Sequence, residues 1–201
     1  MKLINEKLAV AEYKYPYYEK INPILFSYIM GVPNDPQHPN NVRAKMTSRN
    51  LENKELDKLI KWIIQILERD FVVKAINKGP EHHQSNGWIW NMKCTELWGV
   101  QYDKGSHITR HAHTPYAYAF TYIVNSPKGS PPLIFSTSGH KVKSEEGKLI
   151  LWEGRLIHEV PPAKVEGRCI IAGTFQNMLS HGVPTELIRT GPTNKARHGP
   201  R

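Results

Sequence analysis

From residue 87 to residue 175 the sequence consists of short runs of β-branched and aromatic residues separated by Gly, Pro, Ser and Lys. Such runs predict β-strands. About eight short strands joined by tight turns favour a sandwich or a small barrel, with the jelly-roll class among the candidates. The predicted strands are 87–92, 96–103, 107–113, 116–125, 132–136, 148–152, 156–160 and 168–175.

One amphipathic helix precedes the strands. Leu59, Ile60, Ile63 and Leu67 recur at helical spacing, which predicts a helix over residues 51–70. Residues 1–50 are rich in Tyr, Pro and Asn and predict an irregular lead-in with few strands.

These patterns predict a mainly β chain with an N-terminal helical part, which is an α+β organisation. We expect one domain overall, with a lead-in and supporting helix over residues 1–86 and a β core over residues 87–180. Residues 181–201 would form a basic C-terminal tail.

The composition is that of a folded globular protein. Hydrophobic residues make up 39% and charged residues 22% of the 201 residues, which argues against intrinsic disorder. No run of 18 apolar residues is present, so no membrane span is expected. The start of the sequence also lacks the apolar segment of a signal peptide. Cys94 and Cys169 are far apart, which fits a reducing compartment, and we predict a cytosolic protein.

The net charge of +9 leaves a polyanionic partner such as a nucleic acid open, but does not favour it. Four of the positive charges lie in residues 189–201, where there is no acidic residue, so the remainder of the chain carries only +5. Neither an aromatic-basic stripe nor a Gly-rich phosphate loop is present, which makes a dedicated nucleotide-binding protein an unattractive hypothesis.

Three histidines carry the clearest chemical signal. On a strand, residues i and i+2 point to the same side, so His111 and His113 can present both imidazoles to one point. His158, on a later strand, can complete the set. Three ligands on one face with open positions opposite suit a non-haem Fe(II) site, and three histidines also suit zinc. With ten histidines in the chain, the HxH pair can also arise by chance.

The residues around these histidines reproduce a known spacing. Tyr102, Gly105, His111 and His113 match YxxGxxxxxHx(D/H), and Arg168 follows His158 by ten residues. In this respect residues 98–177 resemble the 2-oxoglutarate and Fe(II)-dependent dioxygenases, particularly their prolyl-hydroxylase-like branch. The resemblance implies a double-stranded β-helix, or jelly-roll, catalytic core.

The resemblance also implies a set of cofactors and ligands. Fe(II) would be held by His111 and His158, with His113 at the position that is usually acidic, and 2-oxoglutarate and O₂ would be the co-substrates. Arg168 would bind the distal carboxylate of 2-oxoglutarate, because a planar guanidinium can pair with a carboxylate through two hydrogen bonds. The implied reaction is hydroxylation of a peptidyl or amino-acid side chain, with a protein or an amino acid as the substrate.

Further residues are candidates for the same site. The resemblance suggests Tyr122 as a second partner of the 2-oxoglutarate carboxylate and Thr174 as a weaker one, although Tyr122 also belongs to an alternating aromatic face that can simply pack the core. Trp152 is expected in the core or at the mouth of the site, and Asp103 or Glu159 could orient a ligand imidazole. The remaining histidines, including His107, are expected in loops or near the site without a metal role.

Two other classes of protein remain open. A cupin-like metalloprotein would use the same three histidines for zinc, manganese or iron without 2-oxoglutarate, and Arg168 would then be structural. A non-catalytic jelly-roll binding module would bind the metal weakly or not at all. His113, which stands where a carboxylate is usual, keeps the binding module open, and the metal's identity together with co-substrate dependence would separate the cupin-like protein from the dioxygenase.

Overall fold

The structure is a computed structural model that describes residues 10–70 and 88–181. The described chain contains two helices, α1 (Tyr18–Gly31) and α2 (Lys54–Asp70). Its strands are β1 (Val10–Lys14), β2 (Val42–Arg43), β3 (Lys45–Met46), β4 (Trp88–Tyr102), β5 (His107–His111), β6 (Tyr118–Asn125), β7 (Leu133–Phe135), β8 (His140–Val142), β9 (Lys148–Glu153), β10 (His158–Val160) and β11 (Arg168–His181).

The strands form two antiparallel sheets. The six-stranded sheet has the order β1-β9-β6-β11-β4-β3, and the five-stranded sheet has the order β2-β5-β10-β7-β8. One hydrophobic core lies between the large sheet and the two helices, and a second joins side chains of both sheets. The predicted mainly β chain with an N-terminal helical part is therefore confirmed.

Helix α2 confirms the predicted amphipathic helix. The apolar positions that predicted it, Leu59, Ile60, Ile63 and Leu67, are fully buried in the core between the helices and the large sheet. The Asn53 side chain accepts a hydrogen bond from the backbone N–H of Glu55 at 2.8 Å, which satisfies one of the donors left unpaired at a helix start.

The prediction of an irregular region over residues 1–50 is wrong within the described residues. Helix α1 lies there, despite Pro23 within it, and strand β1 joins the large sheet by pairing with β9. Ile21, Leu25 and Ile29 recur every four residues and are buried against the sheet. Burial of this face outweighs the poor helix propensity of the surrounding Tyr, Asn and Pro residues.

Several predicted strand limits also differ. The predicted strands 87–92 and 96–103 are the single strand β4, which is interrupted by a register shift where Thr174 pairs with Glu96 and Phe175 pairs with Cys94. Thr95 is the extra residue, so the break in the sequence pattern marks a bulge rather than a turn. Strand β8 was not predicted, and β11 continues to His181.

Neither helix in the described ranges is long and apolar enough to cross a membrane. Residues 71–87, where His82 and His83 are among the histidines expected in loops, and the predicted basic tail beyond residue 181 lie outside the described residues.

Helix α2 provides a direct test of the packing. Replacing fully buried Ile63 with Ala should lower the free energy of unfolding by about 2–5 kcal/mol, because it leaves a cavity between the helix and the sheet. Urea unfolding measures the loss. The exposed Lys61→Ala change, two residues away, is the control and should leave stability nearly unchanged. Equal stability of the two variants would contradict the packing described here.

Candidate metal centre and adjoining cavities

The structure brings together the three histidines that the spacing predicted. His111, His113 and His158 each offer a ring nitrogen, and these atoms lie within 4.8 Å of one another. The ring centroids are 4.3 Å apart for His111 and His158 and 5.0 Å apart for His113 and His158. Nitrogen atoms converging in this way can hold a single transition-metal ion.

Strand pairing accounts for two of the three positions. His111 ends β5 and His158 begins β10, and the two residues are direct partners in the antiparallel ladder. His113 lies beyond the end of β5, whereas the sequence predicted that the strand would continue through it. Its backbone N–H donates to the carbonyl of Gly154 at 2.7 Å, so the loop after β9 positions this imidazole.

Backbone carbonyls orient two of the rings. Nδ1 of His111 lies 2.9 Å from the carbonyl oxygen of Thr109, and Nδ1 of His158 lies 2.9 Å from that of Leu156. Because a carbonyl oxygen can only accept, each Nδ1 carries the proton and each Nε2 keeps its lone pair for a metal.

The acidic residues proposed for this orienting role lie elsewhere. Asp103 pairs with Lys45 at 3.0 Å, and Glu159 pairs with Arg110 at 3.1 Å. The prediction that they orient a ligand imidazole is therefore wrong.

The environment keeps the imidazoles neutral. Burial, together with the neighbouring imidazoles, lowers the pKa of His113 and that of His158 to about 3. Burial also lowers the pKa of His111. The neutral ring is the form that binds a metal ion, so the cluster has its ligand form at neutral pH.

A narrow cavity extends from the three histidines between the two sheets to Arg168, the first residue of β11. This arginine is 1% exposed. Its Nε donates to the Ser144 hydroxyl at 3.2 Å, whereas Nη1 is buried and has no hydrogen-bond partner among the described residues. The structure thus places a cation, with one donor unused, in the same cavity as the histidine cluster.

Tyr102 lies beside this arginine and was not given a binding role by the sequence. The two residues are cross-strand partners, and the guanidinium carbon of Arg168 is 4.3 Å from the Tyr102 ring centroid. The buried Tyr102 hydroxyl lies near the Arg168 side chain and forms no hydrogen bond of normal length within the described residues. Among the described residues that line this cavity there is no Asp or Glu. A buried cation without a carboxylate partner is costly, so the cavity is suited to an anionic ligand.

Tyr122 and Thr174, predicted for the same pocket, are not among the residues that line it. Tyr122 faces the helices, where its hydroxyl donates to Asn22 Oδ1 at 2.7 Å, and the adjacent Thr121 faces the cavity instead. The Thr174 hydroxyl lies 2.9 Å from that of Thr95 at the bulge. Successive residues of β6 face opposite sides of the sheet, and the sequence alone did not show which side faces the site.

The other candidates take structural positions. Trp152 is 1% exposed and packs against His158 with ring centroids 4.8 Å apart, so it is a core residue that touches the cluster. His107 contacts the carbonyl of Gly105 outside the cluster. His140 and His181 lie in strands rather than in the loops expected for them.

No protein-family model and no curated protein matches the chain. Among solved structures, it is similar to a prolyl-4-hydroxylase from Pseudomonas putida, with a TM-score of 0.60 and 16% identity over 83% of this chain and 91% of that chain. It is also similar to the 2OG complex of the viral collagen prolyl hydroxylase from Paramecium bursaria Chlorella virus-1 (TM-score 0.57, 15% identity, 82% and 94% covered). A third match is a 2OG-Fe(II) oxygenase family oxidoreductase from Burkholderia pseudomallei (TM-score 0.52, 12% identity, 83% and 84% covered).

The chain therefore has the fold of 2OG-Fe(II) oxygenases. The structural likeness to this superfamily that the motif spacing suggested is confirmed at the level of the fold.

Gly154 provides a test of how His113 is positioned. A Cβ at residue 154 would lie 2.1 Å from the Tyr116 carbonyl oxygen and 3.2 Å from that of His113, so Gly154→Ala must displace this loop. We expect metal affinity to fall at least roughly tenfold, because a small misplacement of one ligand weakens the whole set. Calorimetric titration with Zn(II) measures it. Gly31→Ala, where a Cβ meets nothing within 4 Å, is the control; identical affinities would disprove the positioning role.

The lowered histidine pKa values predict a pH effect in the metal-free protein. An unfolded histidine has a pKa of about 6.5, so below that pH the unfolded chain takes up protons that folded His113 and His158 do not. Stability should therefore fall as the pH drops from 7 to 5, with a slope approaching about 1.4 kcal/mol per pH unit for each histidine.

Urea unfolding at several pH values between 7 and 5 measures this slope. His158→Gln should flatten it, since glutamine does not titrate. A stability that does not change with pH over this range would show that the rings are accessible to protons in the folded state.

Proposed function

We propose that this protein is a non-haem Fe(II)- and 2-oxoglutarate-dependent dioxygenase that hydroxylates a peptidyl or amino-acid side chain. Its β core, residues 87–180, would be a double-stranded β-helix, with the N-terminal residues supporting it. The observation that carries the proposal is the buried Arg168, whose unused donor shares a cavity with three converging histidines and with no Asp or Glu among the described lining residues. The neighbours' titles support it, since they name prolyl hydroxylases and a 2OG complex.

The residues present fit the metal and the co-substrate. His111, His113 and His158 would hold Fe(II) through three neutral nitrogens on one face, which leaves coordination positions for a chelating 2-oxo acid and O₂. With no carboxylate among the ligands, the site is one unit more positive than the usual two-histidine, one-carboxylate set, which favours an anionic chelator.

The other end of the cavity suits the distal carboxylate of 2-oxoglutarate. Arg168 Nη1 and the Tyr102 hydroxyl are both buried donors without a hydrogen-bond partner in the described part of the chain, so a carboxylate there would satisfy both. Apolar side chains such as Val100 and Ile170 line the cavity between its two ends and exclude water.

When bound, Fe(II) supplies the oxidation chemistry, in which a substrate C–H bond, 2-oxoglutarate and O₂ become C–OH, succinate and CO₂. One oxygen atom enters the substrate and the other enters succinate. The chain's own residues bind the two co-substrate ends and keep the ligand imidazoles neutral; no side chain is required as a general base.

A cupin-like metalloprotein that does not use 2-oxoglutarate is the second candidate, and His113 is the observation that favours it. Three neutral histidines also suit zinc, without a redox reaction. In a cupin-like protein that does not use 2-oxoglutarate, however, the unused Nη1 donor of Arg168 would have no ligand. The non-catalytic binding module leaves both the metal ligands and Arg168 without a role.

The Tyr102 hydroxyl is the sharpest test, because it has no partner to lose within the described structure. Tyr102→Phe should weaken 2-oxoglutarate binding roughly tenfold, since a hydrogen bond to a charged group contributes about 1.5 kcal/mol or more. Anaerobic titration of the Fe(II)-loaded protein measures this through the weak visible charge-transfer band of a chelated 2-oxo acid. Tyr122→Phe is the matched control, because that hydroxyl faces the helices and should not affect the band.

The same titration separates the alternatives. A charge-transfer band followed by succinate release in air supports the oxygenase. Fe(II) binding without a band would support the cupin-like protein. Full metal affinity in His158→Ala would show that the three histidines are not the metal site. If the unmodified protein binds no metal, the non-catalytic binding module would be the supported alternative.

A further inference from the structure

A second cavity, of about 250 Å³, opens beside the histidine cluster. We call it the Arg49 cavity. His111, His113 and Trp98 line both this cavity and the one that leads to Arg168. A molecule bound in the Arg49 cavity would therefore lie beside the metal site.

Two opposite charges line this cavity. Arg49 Nη1 donates to both carboxylate oxygens of Glu96, at 2.9 and 3.1 Å, and the guanidinium carbon lies 5.5 Å from the Trp98 ring centroid. The two side chains are 39% and 22% exposed. The Arg49 side chain donates to the described residues only through Nη1. Its Nε and Nη2 donors are therefore left for a ligand carboxylate.

The fold does not depend on this ion pair. Three backbone hydrogen bonds of 3.0–3.1 Å already join residues 47–51 to β4. The N–H of Thr47 donates to the carbonyl of Gly99, that of Leu97 to the carbonyl of Arg49, and that of Leu51 to the carbonyl of Leu97. Partly exposed ion pairs add little to stability. The two charged side chains can therefore exchange partners when a ligand enters.

We propose that the Arg49 cavity binds a free amino acid as the primary substrate, an inference that rests on the proposed dioxygenase function. Arg49 would bind the α-carboxylate and Glu96 the α-ammonium group. An internal residue of a peptide carries neither charge, so the Arg49–Glu96 pair would not contribute to its binding.

The rest of the lining selects the side chain. Pro39, Val42 and Met46 are apolar, whereas Asn41, Thr114 and Tyr116 in the same lining are polar. Contact with the apolar group would favour an apolar substrate side chain, and the reacting C–H bond would have to lie beside His111 and His113. In the reaction this side chain's C–H bond becomes C–OH. The substrate loses two electrons in this step, and 2-oxoglutarate loses two as it becomes succinate and CO₂. O₂ accepts all four electrons.

The first experiment measures binding without turnover. Saturation-transfer difference NMR on the Zn(II)-loaded full chain would compare free L-proline, L-valine, L-leucine and L-methionine with their N-acetyl amides. We expect at least one free amino acid to bind saturably and its doubly blocked form to bind at least roughly tenfold more weakly.

Variants then locate the binding site. Arg49→Gln and Glu96→Gln should each weaken the amino acid at least tenfold, and Arg49→Lys should restore part of the loss. Arg43→Gln, an exposed arginine on β2, is the matched control. In the Fe(II)-loaded enzyme, Arg49→Gln should raise the KM for the amino acid without changing the 2-oxoglutarate charge-transfer band, which a general structural role would disturb.

The outcomes separate this proposal from the one it rests on. Equal binding of free and blocked forms, no binding of either, or unchanged affinity in Arg49→Gln would overturn the amino-acid site. Succinate release stimulated by the blocked forms would also overturn it while leaving the dioxygenase intact. Charge-dependent binding of a free amino acid without a 2-oxoglutarate band would support the site and refute the dioxygenase.

Discussion

Strand β11 is paired on both sides, with β4 and β6, and both faces of the sheet at this point are covered. Successive side chains of β11 must therefore pack alternately into two different hydrophobic cores. Ile171 and Phe175 pack toward the helices, whereas Ile170 and Ala172 face the second sheet. The same alternation sends Arg168 into the cavity between the sheets, so the position of this charge follows from how the large sheet is covered.

A guanidinium in that position determines what the cavity can hold. Arg168 is almost fully buried, and the described lining of the cavity contains no acidic side chain. The histidines at the other end are neutral because burial lowers their pKa values. Before a ligand enters, the cavity thus has an excess of positive charge at one end and unprotonated metal ligands at the other. An anion that is also a chelator meets both requirements, whereas a neutral ligand leaves the buried guanidinium without a counter-charge.

The sequence predicts the parts of this site that depend on local spacing. The i and i+2 relation of His111 and His113, the later His158 and the arginine ten residues beyond it are all visible in the sequence, and the structure gathers them around one cavity. Helix α2 is also predictable, because its apolar period is uninterrupted.

The errors concern properties that depend on tertiary structure. Every residue of β6 from Tyr118 to Val124 is buried, so the sequence pattern cannot distinguish the face toward the helices from the face toward the cavity. Tyr122 was therefore assigned to the wrong face, and Tyr102, at the end of a different strand, was given no role. Helix α1 was missed because the burial that stabilises it comes from the sheet it packs against. The orienting carbonyls of Thr109 and Leu156 belong to the backbone and leave no signature in residue type.

The third histidine connects the two cavities. His113 packs near Trp98, with ring centroids 5.9 Å apart, and Arg49 is close enough to lower its pKa. A carboxylate at position 113 would attract the Arg49 guanidinium and compete with Glu96, and with any ligand, for its donors. A neutral imidazole can bind the metal without competing for the hydrogen-bond donors of Arg49. The departure from the usual acidic residue therefore agrees with the role that we propose for Arg49, which needs its donors free for the substrate.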